Sequence, residues 1–468
     1  MKLSQLKLRD YRCFASVDID FHPQVTVLVA TNGAGKTSIL DAIAVAYGPF
    51  VGAFDEATGK HFETRDIRQI AVRETASNEM EYAPRGVRLQ AQGNIPGSLV
   101  DRLSGGLTSI WERSLSSAAK AKTTIKDAKA LVDYGKRLQQ AVRTPGVETL
   151  LPLITYYGTG RLWQQKKLTE SKKSQRTSRT VGYTDCLDPA SSYKSFVEWF
   201  RYWSISSKEA RIKAMEQGAT SSENEFGRYI QSVSQAVNTC LAPAGWGDID
   251  YSLAKDALVA HHPLFGELPV EQLSDGIRNM IGMVADIAFR ATKLNGHLGA
   301  MAAQGTPGIV LIDEVDMHLH PEWQQAVIPS LIKAFPALQF IVTTHSPQVL
   351  STVDATSVRV IQNVRDPESG LVQTQVVMPR WQTRGVASAD LLARIMNVNP
   401  VPQVPEADWV NQYQALIQEN LHDSEQGLEL HARLIQHFGA EHPLMLDCER
   451  LVRLQQFKQR LPKNIGKE

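Results

Sequence analysis

The amino-acid sequence predicts an α/β fold with a helical insert and a C-terminal α-helical tail, and three observations carry the prediction. The apolar run "VTVLVA" (25–30) passes through "TNGAG" into the helical pattern "KTSILDAIAVAYG". Two further runs, "GIVLIDE" (308–314) and "LQFIVTT" (338–344), are apolar without alternation, as strands of a parallel sheet covered on both faces should be. From about Gly385 the strand patterns stop and four helical segments follow.

The first run reads as strand, loop and helix. Ile39, Leu40, Ile43 and Ala44 share one helix face, and Gly48 is the expected C-cap. A strand, a glycine loop and a helix opening on Lys-Thr make a phosphate-binding loop. Glycines let backbone N–H groups turn towards phosphate oxygens, and the helix N-terminus adds a favourable field. Asn32, Gly33, Gly35, Lys36, Thr37 and Ser38 are therefore candidate ATP contacts, with Lys36 on the β- and γ-phosphates and the Thr37 hydroxyl on Mg²⁺. The motif G-x-x-x-x-G-K-[ST] starts with Gly, and here that position is Ala30; the change falls on the strand-to-loop turn and spares the cradle.

The second run ends in two carboxylates, placing Asp313 and Glu314 at the C-terminal end of a buried strand, where open α/β sheets bind ligands. Asp313 is the expected Mg²⁺ ligand and Glu314 the residue that polarises the attacking water. The third run ends at Thr343-Thr344, with His345 placed to reach a γ-phosphate; the plainer reading of His345 is a hydrogen-bonded loop histidine. "EQLSDGIRNM" (271–280) precedes a long helical pattern, and alone it supports only an N-cap.

The order of these pieces, the phosphate loop at 30–37, "LSDGIR" at 273–278, "LIDE" at 311–314 and "TTHS" at 343–346, resembles the ABC-class ATPases. Within them it is similar to the branch of RecF, Rad50 and the overcoming-lysogenization-defect proteins. The resemblance implies an ABC-type P-loop ATPase head. It makes Ser274 and Gly276 a signature that caps the nucleotide of the other subunit, and hence implies a homodimer with two ATP molecules at its interface. It also offers Arg12 of "YRCF" as a residue near the nucleotide, against a reading as ordinary surface charge, and Asp316 of "VDMHLHPEWQ" as the acid of the D-loop. His318 and His320 lack partners at metal-ligand spacing and read as structural. The Gln-loop residue stays open between Gln69 and the loop "YYGTGRLWQQ".

Composition narrows the classes. With 468 residues, 43% hydrophobic and 21% charged, the chain can build a large soluble core. Lys and Arg number 50 against 49 Asp and Glu, so any nucleic-acid contact must be a local patch. Cys13, Cys186, Cys240 and Cys448 form no C-x-x-C pair, which fits a reducing cytoplasm. No stretch is long and apolar enough to span a membrane, so no membrane association is expected.

Four regions are expected: an N-terminal ATPase lobe (1–160), a helical insert with a basic loop (161–265), a C-terminal ATPase lobe (266–384) and a helical tail (385–468) that either docks a partner or covers the core. The insert lacks the sustained heptads of long-armed relatives. Its Lys166, Lys167, Lys172, Lys173, Arg176 and Arg179 read either as a solvated linker or as a contact for DNA or RNA. Phe196, Trp199, Phe200 and Trp203 form a helical stripe suited to core or subunit packing. No D-x-D cluster follows His345, whereas the overcoming-lysogenization-defect nucleases carry one in a C-terminal Toprim domain; the D-x-D pairs Asp18/Asp20 and Asp248/Asp250 both precede the signature. The segment "GVASADLLARIMNV" with its helical tail is similar to the PtuA ATPases of Septu and retron anti-phage systems. That resemblance implies an ATPase that senses infection and scaffolds and regulates an HNH nuclease subunit of the PtuB kind, assembles beyond a dimer, and cuts nothing itself. The alternatives are a RecF-like repair ATPase clamping DNA between two heads and, less in keeping with the insert and tail, a transporter's energising subunit.

Overall fold

The computed structural model describes residues 1–71, 80–95, 107–116, 123–160, 178–189, 194–217, 224–365 and 372–460. The chain divides into two compact units, Met1–Met396 and Asn397–Glu468.

A six-stranded sheet organises the first unit, in the order Val372–Val377, Val358–Arg365, Val25–Val29, Leu338–Thr343, Gly308–Ile312 and Leu153–Tyr157. Neighbours are parallel except for the antiparallel pair at the Val372–Val377 edge. The four strands from Val25–Val29 to Leu153–Tyr157 in that order are buried at every position, which is why their sequences are continuous apolar runs. Leu338–Thr343 lies between the strand that feeds the glycine loop and the strand that ends in Asp313, so three loops open at one end of the sheet.

The helix after the glycine loop, Lys36–Val51, continues past Gly48 and through Pro49, and thus corrects the C-cap expected at Gly48. Proline has no N–H for the carbonyl four residues back, and an orphaned buried carbonyl is costly. Here Arg113 Nη1 donates to Val45 O at 2.8 Å, and Trp111 Nε1 donates to the adjacent Ala46 O at 3.0 Å. Both side chains are buried on the strand Leu107–Leu115, and burial pushes the Arg113 pKa down to about 10. Gly48 is needed for another reason: a Cβ there would sit 2.0 Å from Lys60 O.

Leu107–Leu115 belongs to a four-stranded antiparallel sheet with Phe14–Asp20, Lys2–Tyr11 and Val87–Ile95. The alternating burial of Val87–Ile95 puts one face of it against the core. Helices Lys194–Glu216 and Glu225–Leu241 pack on the long helix Asp275–Leu294, and a three-stranded sheet, Gly247–Ser252, Ala257–His262 and Gly266–Pro269, lies just before that helix in the chain. Phe196, Phe200 and Trp203 are buried, whereas Trp199 is half-buried. Of the basic segment at 162–182, residues 162–177, with Lys166, Lys167, Lys172, Lys173 and Arg176, lie outside the described residues. Arg179 does not: its guanidinium donates to Leu294 O at 2.8 Å and Thr149 O at 2.6 Å, making it an anchor of the fold.

Leu391, on helix Ser388–Arg394, is buried in the core of the first unit, so the separate tail starts at Asn397 and not at 385. Its helices Pro405–Gln418, Glu425–Phe438 and Pro443–Arg460 enclose Tyr413, Ile417, Leu430, Leu434, Met445 and Cys448. Trp409 and Leu416 flank this small core, whereas Leu446, Leu454 and Phe457 remain exposed on the last helix.

Candidate active site

The glycine loop is shaped by its backbone. Gly33 and Gly35 have φ of 78° and 91°, and a Cβ on Gly35 would strike Phe14 and the Cys13 sulfur at 2.3 and 2.7 Å. Lys36 is buried and donates from Nζ to Ala30 O at 3.0 Å. Burial pushes its pKa down, opposed by Asp313, Glu314 and Asp316. A buried ammonium held by carbonyls and facing carboxylates fits the cation that a phosphate chain needs. The position departing from the motif, Ala30, thus contributes its carbonyl to holding that lysine.

The carboxylate cluster is wired across the sheet. Thr37 Oγ1 donates to Asp313 Oδ2 at 2.7 Å, and Thr343 Oγ1 donates to Asp313 Oδ1 at 2.6 Å. Thr343 Oγ1 also accepts the Glu314 N–H at 2.7 Å. Glu314 has φ of 47°, a left-handed conformation that a non-glycine residue adopts only when its surroundings impose it. Further on, Thr344 Oγ1 donates to Asp316 Oδ1 at 2.6 Å and accepts the Ser346 N–H at 2.9 Å, and Ser346 Oγ accepts from Gln348 N and Val349 N. His345 is therefore held between two anchored neighbours.

These residues share one cleft of about 340 Å³, lined by Arg12, Asn32, Gly33, Gly35, Lys36, Thr37, Ser38, Asp313, Glu314 and His345, together with Cys13. Arg12 stands in the turn between the first two strands with φ of 47°. Its Nη1 donates to Asp41 Oδ2 at 2.7 Å and its Nε to Asp66 Oδ1 at 2.8 Å, so it is clamped and not a free surface charge. Asp41 also accepts from Lys60 at 2.8 Å. Ser274 and Gly276 do not line this cleft. Ser274 is the exposed N-cap of helix Asp275–Leu294 with no side-chain cap bond, whereas Gly276 is buried where a Cβ would lie 2.4 Å from His318 O. Gly276 thus permits a close backbone approach, a role apart from the nucleotide contact expected of it. Gln69 does not line the cleft either.

Sequence reasoning missed the link between the two halves. Asp313 N–H donates to Tyr157 O at 2.8 Å, and the Tyr157 hydroxyl donates to Asp286 Oδ2 at 2.7 Å inside the Ser274 helix. Arg290 Nε meets the same oxygen at 2.7 Å, and its Nη1 reaches Gly182 O and Thr184 O. All three side chains are buried. Tyr157 lies in a strand buried throughout, and only its partner on a helix far along the chain marks it. Tyr157→Phe is expected to cost about 1 to 2 kcal/mol, because Asp286 loses a buried donor. Thermal melting should fall by a few degrees, and ATP turnover should fall more than ATP affinity; unchanged turnover would show that the link is only structural.

A parallel sheet whose strand ends gather a glycine loop, a buried lysine and a threonine-bridged Asp-Glu pair defines an ABC-class P-loop ATPase. Comparisons narrow the class. Family models described as AAA domains match residues 5–227 and 250–351. The Escherichia coli protein named "Retron Ec83 probable ATPase" is 27% identical, over 96% of this chain and 86% of its own. The "Retron Vc95 probable ATPase" of Vibrio cholerae serotype O1 biovar El Tor is 23% identical, over 92% and 86%. The "Septu protein PtuA" of Bacillus mycoides (strain KBAB4) is 36% identical over 22% of this chain and 14% of its own. Along most of its length the chain is thus similar to retron-associated ATPases, and over a shorter stretch to PtuA.

Proposed function

We propose that the chain binds ATP with Mg²⁺ in this cleft, pairs as a homodimer through the two nucleotides, and uses the cycle to control an HNH nuclease partner in anti-phage defence. The observation that carries the nucleotide reading is the bridge from Thr37 through Asp313 to Thr343, which brings a hydroxyl and a carboxylate together beside the glycine loop. Thr37 and Asp313 would hold Mg²⁺, which supplies charge neutralisation at the β- and γ-oxygens. Lys36 adds a fixed cation, Glu314 orients and deprotonates the attacking water, and His345 donates a hydrogen bond on the γ-phosphate side. Arg12, tied to Asp41 and Asp66, shapes the same wall. Pairing is supported by Ser274, an exposed N-cap without a cap bond, whose helix N-terminus is suited to the partner's nucleotide.

The partner reading is supported by similarity to the retron ATPases along nearly the whole chain. The D-x-D pairs are otherwise engaged: Asp18 pairs with Arg9 at 2.8 Å, Asp20 accepts from Gln5 at 2.9 Å, Asp248 accepts from Asn238 at 2.7 Å and Asp250 pairs with Lys208 at 3.1 Å. DNA cutting is therefore assigned to the partner. The exposed Leu446, Leu454 and Phe457 recur on one face of the last tail helix and form the proposed dock. Co-expressed with its HNH neighbour, the chain should co-purify and cleave a plasmid only as the pair. Leu454→Glu with Phe457→Glu should release the nuclease while leaving ATP turnover intact. Mg²⁺-dependent cutting by the chain alone, or a complex indifferent to both changes, would count against this reading. A RecF-like clamp that grips DNA between two heads is the alternative, and ATP-dependent binding of duplex DNA without any nuclease would favour it.

A further inference from the structure

A second cleft, of about 820 Å³, opens among helices Lys194–Glu216 and Glu225–Leu241 and the C-terminal end of the Ser274 helix. That is within the range of small-ligand sites, and none of its lining residues belongs to the ATP cleft. Trp199 and Tyr202 come from the first helix, Phe226 and Tyr229 from the second, and Lys293 from the third. The turn Gly296–Met301 closes one side with backbone, and Gly299 there has φ of 56° and ψ of -128°, a conformation that suits glycine. A Cβ on Gly296 would strike the Tyr229 hydroxyl at 2.7 Å.

The charges in this cleft are incomplete. Lys293 Nζ sits 3.7 Å from the Trp199 ring centroid, and no ion-pair partner for it occurs among the described residues. Burial pushes its pKa down to about 8, with Glu225 opposing. Arg228 is exposed at the rim, also without an ion-pair partner among the described residues. Glu225, whose carboxylate accepts from the Tyr229 hydroxyl, is the cleft's acid.

Five aromatic side chains, Trp203 among them, two cations without an ion-pair partner among the described residues and one carboxylate call for a ligand with a flat ring, a negative group and hydrogen-bond donors. We propose that this cleft is a second, non-hydrolytic site for a nucleobase carrying a phosphate, either a free mononucleotide or an exposed base of a single strand. The ring would lie against Tyr202 and Phe226, the phosphate would neutralise Lys293 and Arg228, and Glu225 would accept from the base or sugar. A bare phosphate would gain the cations but meet Glu225, and a lipid tail would find too many polar groups. Lys293 is carried by the helix that begins at Ser274, so occupancy acts on the element proposed to cap the partner's ATP.

The test uses the full chain with Lys36→Ala, which disables the phosphate loop, titrated calorimetrically with mononucleotides, a short single-stranded oligonucleotide and inorganic phosphate. Saturable binding of a mononucleotide or the oligonucleotide is expected, and the arm that binds identifies the source. Lys293→Met, which keeps the aliphatic stem, and Tyr202→Leu should each weaken it by about tenfold while thermal melting is retained. The proposal would be overturned by no saturable binding of either nucleotide probe, by inorganic phosphate binding as tightly as the nucleotides, or by affinity unchanged by both substitutions. Binding seen only with Lys36 intact would assign the signal to the ATP cleft and equally overturn the second site.

Discussion

Glu314→Gln is expected to leave ATP binding nearly intact and to lower steady-state turnover by about two to three orders of magnitude, the usual loss when a general base is removed. The substitution keeps side-chain shape, and what positions this residue is its backbone. The N–H of Glu314 is held by Thr343 Oγ1 at 2.7 Å and the φ of 47° is imposed by that bond and the strand end, so the amide should occupy the same place. What it loses is the ability to take a proton from water. Lys36→Ala should do the opposite, because the buried ammonium would hold the phosphates already in the ground state. Nucleotide titration and turnover on the two variants separate the roles. Equal loss of ATP binding in both would remove Glu314 from the chemistry and make it part of the binding wall.

How much of this was legible in the sequence depended on how local its cause was. The glycine loop, the Asp-Glu strand end and the Thr-Thr-His segment are contiguous motifs, and their strands are marked by burial on both faces. Proximity of the three loops followed from strand order, which apolar runs do not encode; Leu338–Thr343 lies between the other two, and this makes Thr343 the bridge. Helix Lys36–Val51 looked finished at Gly48 because a glycine after an apolar helical pattern ordinarily marks the C-cap. The carbonyl partner that rescues it, Arg113, lies on a strand far along the chain. Arg12 was ambiguous for the same reason, since Asp41 and Asp66 approach it only in the fold. Gly276 carries two signals at one position, a motif glycine and a close contact with His318 O, and sequence alone reveals only the first. The tail boundary moved from 385 to 397 because Leu391 is apolar in a short helix, a pattern that does not say which core it joins.

Mixing two inactive variants is expected to restore activity. Ser274→Arg keeps its own phosphate loop but places a bulky cation at an exposed N-cap where the partner's nucleotide would sit, so its homodimer should be inactive. Lys36→Ala keeps its signature but cannot hold the phosphates, so its homodimer should be inactive too. In a mixed dimer, the loop of the first faces the signature of the second, and one of the two interfaces is intact. With equal amounts, free exchange and independent sites, half the dimers are mixed and each carries one working site, giving about a quarter of the native turnover. The arrangement depends on a feature of the single chain: Ser274 is absent from the lining of the cleft that holds Lys36, Asp313 and Glu314. If Ser274 acted within its own subunit, or served only as a helix cap, every mixed dimer would contain one subunit defective at the loop and one defective at the cap. No activity would then return. Turnover measured across mixing ratios, with exchange verified by differently tagged subunits, should rise to a maximum near equal amounts; a flat line at zero would rule out sharing of the site between subunits.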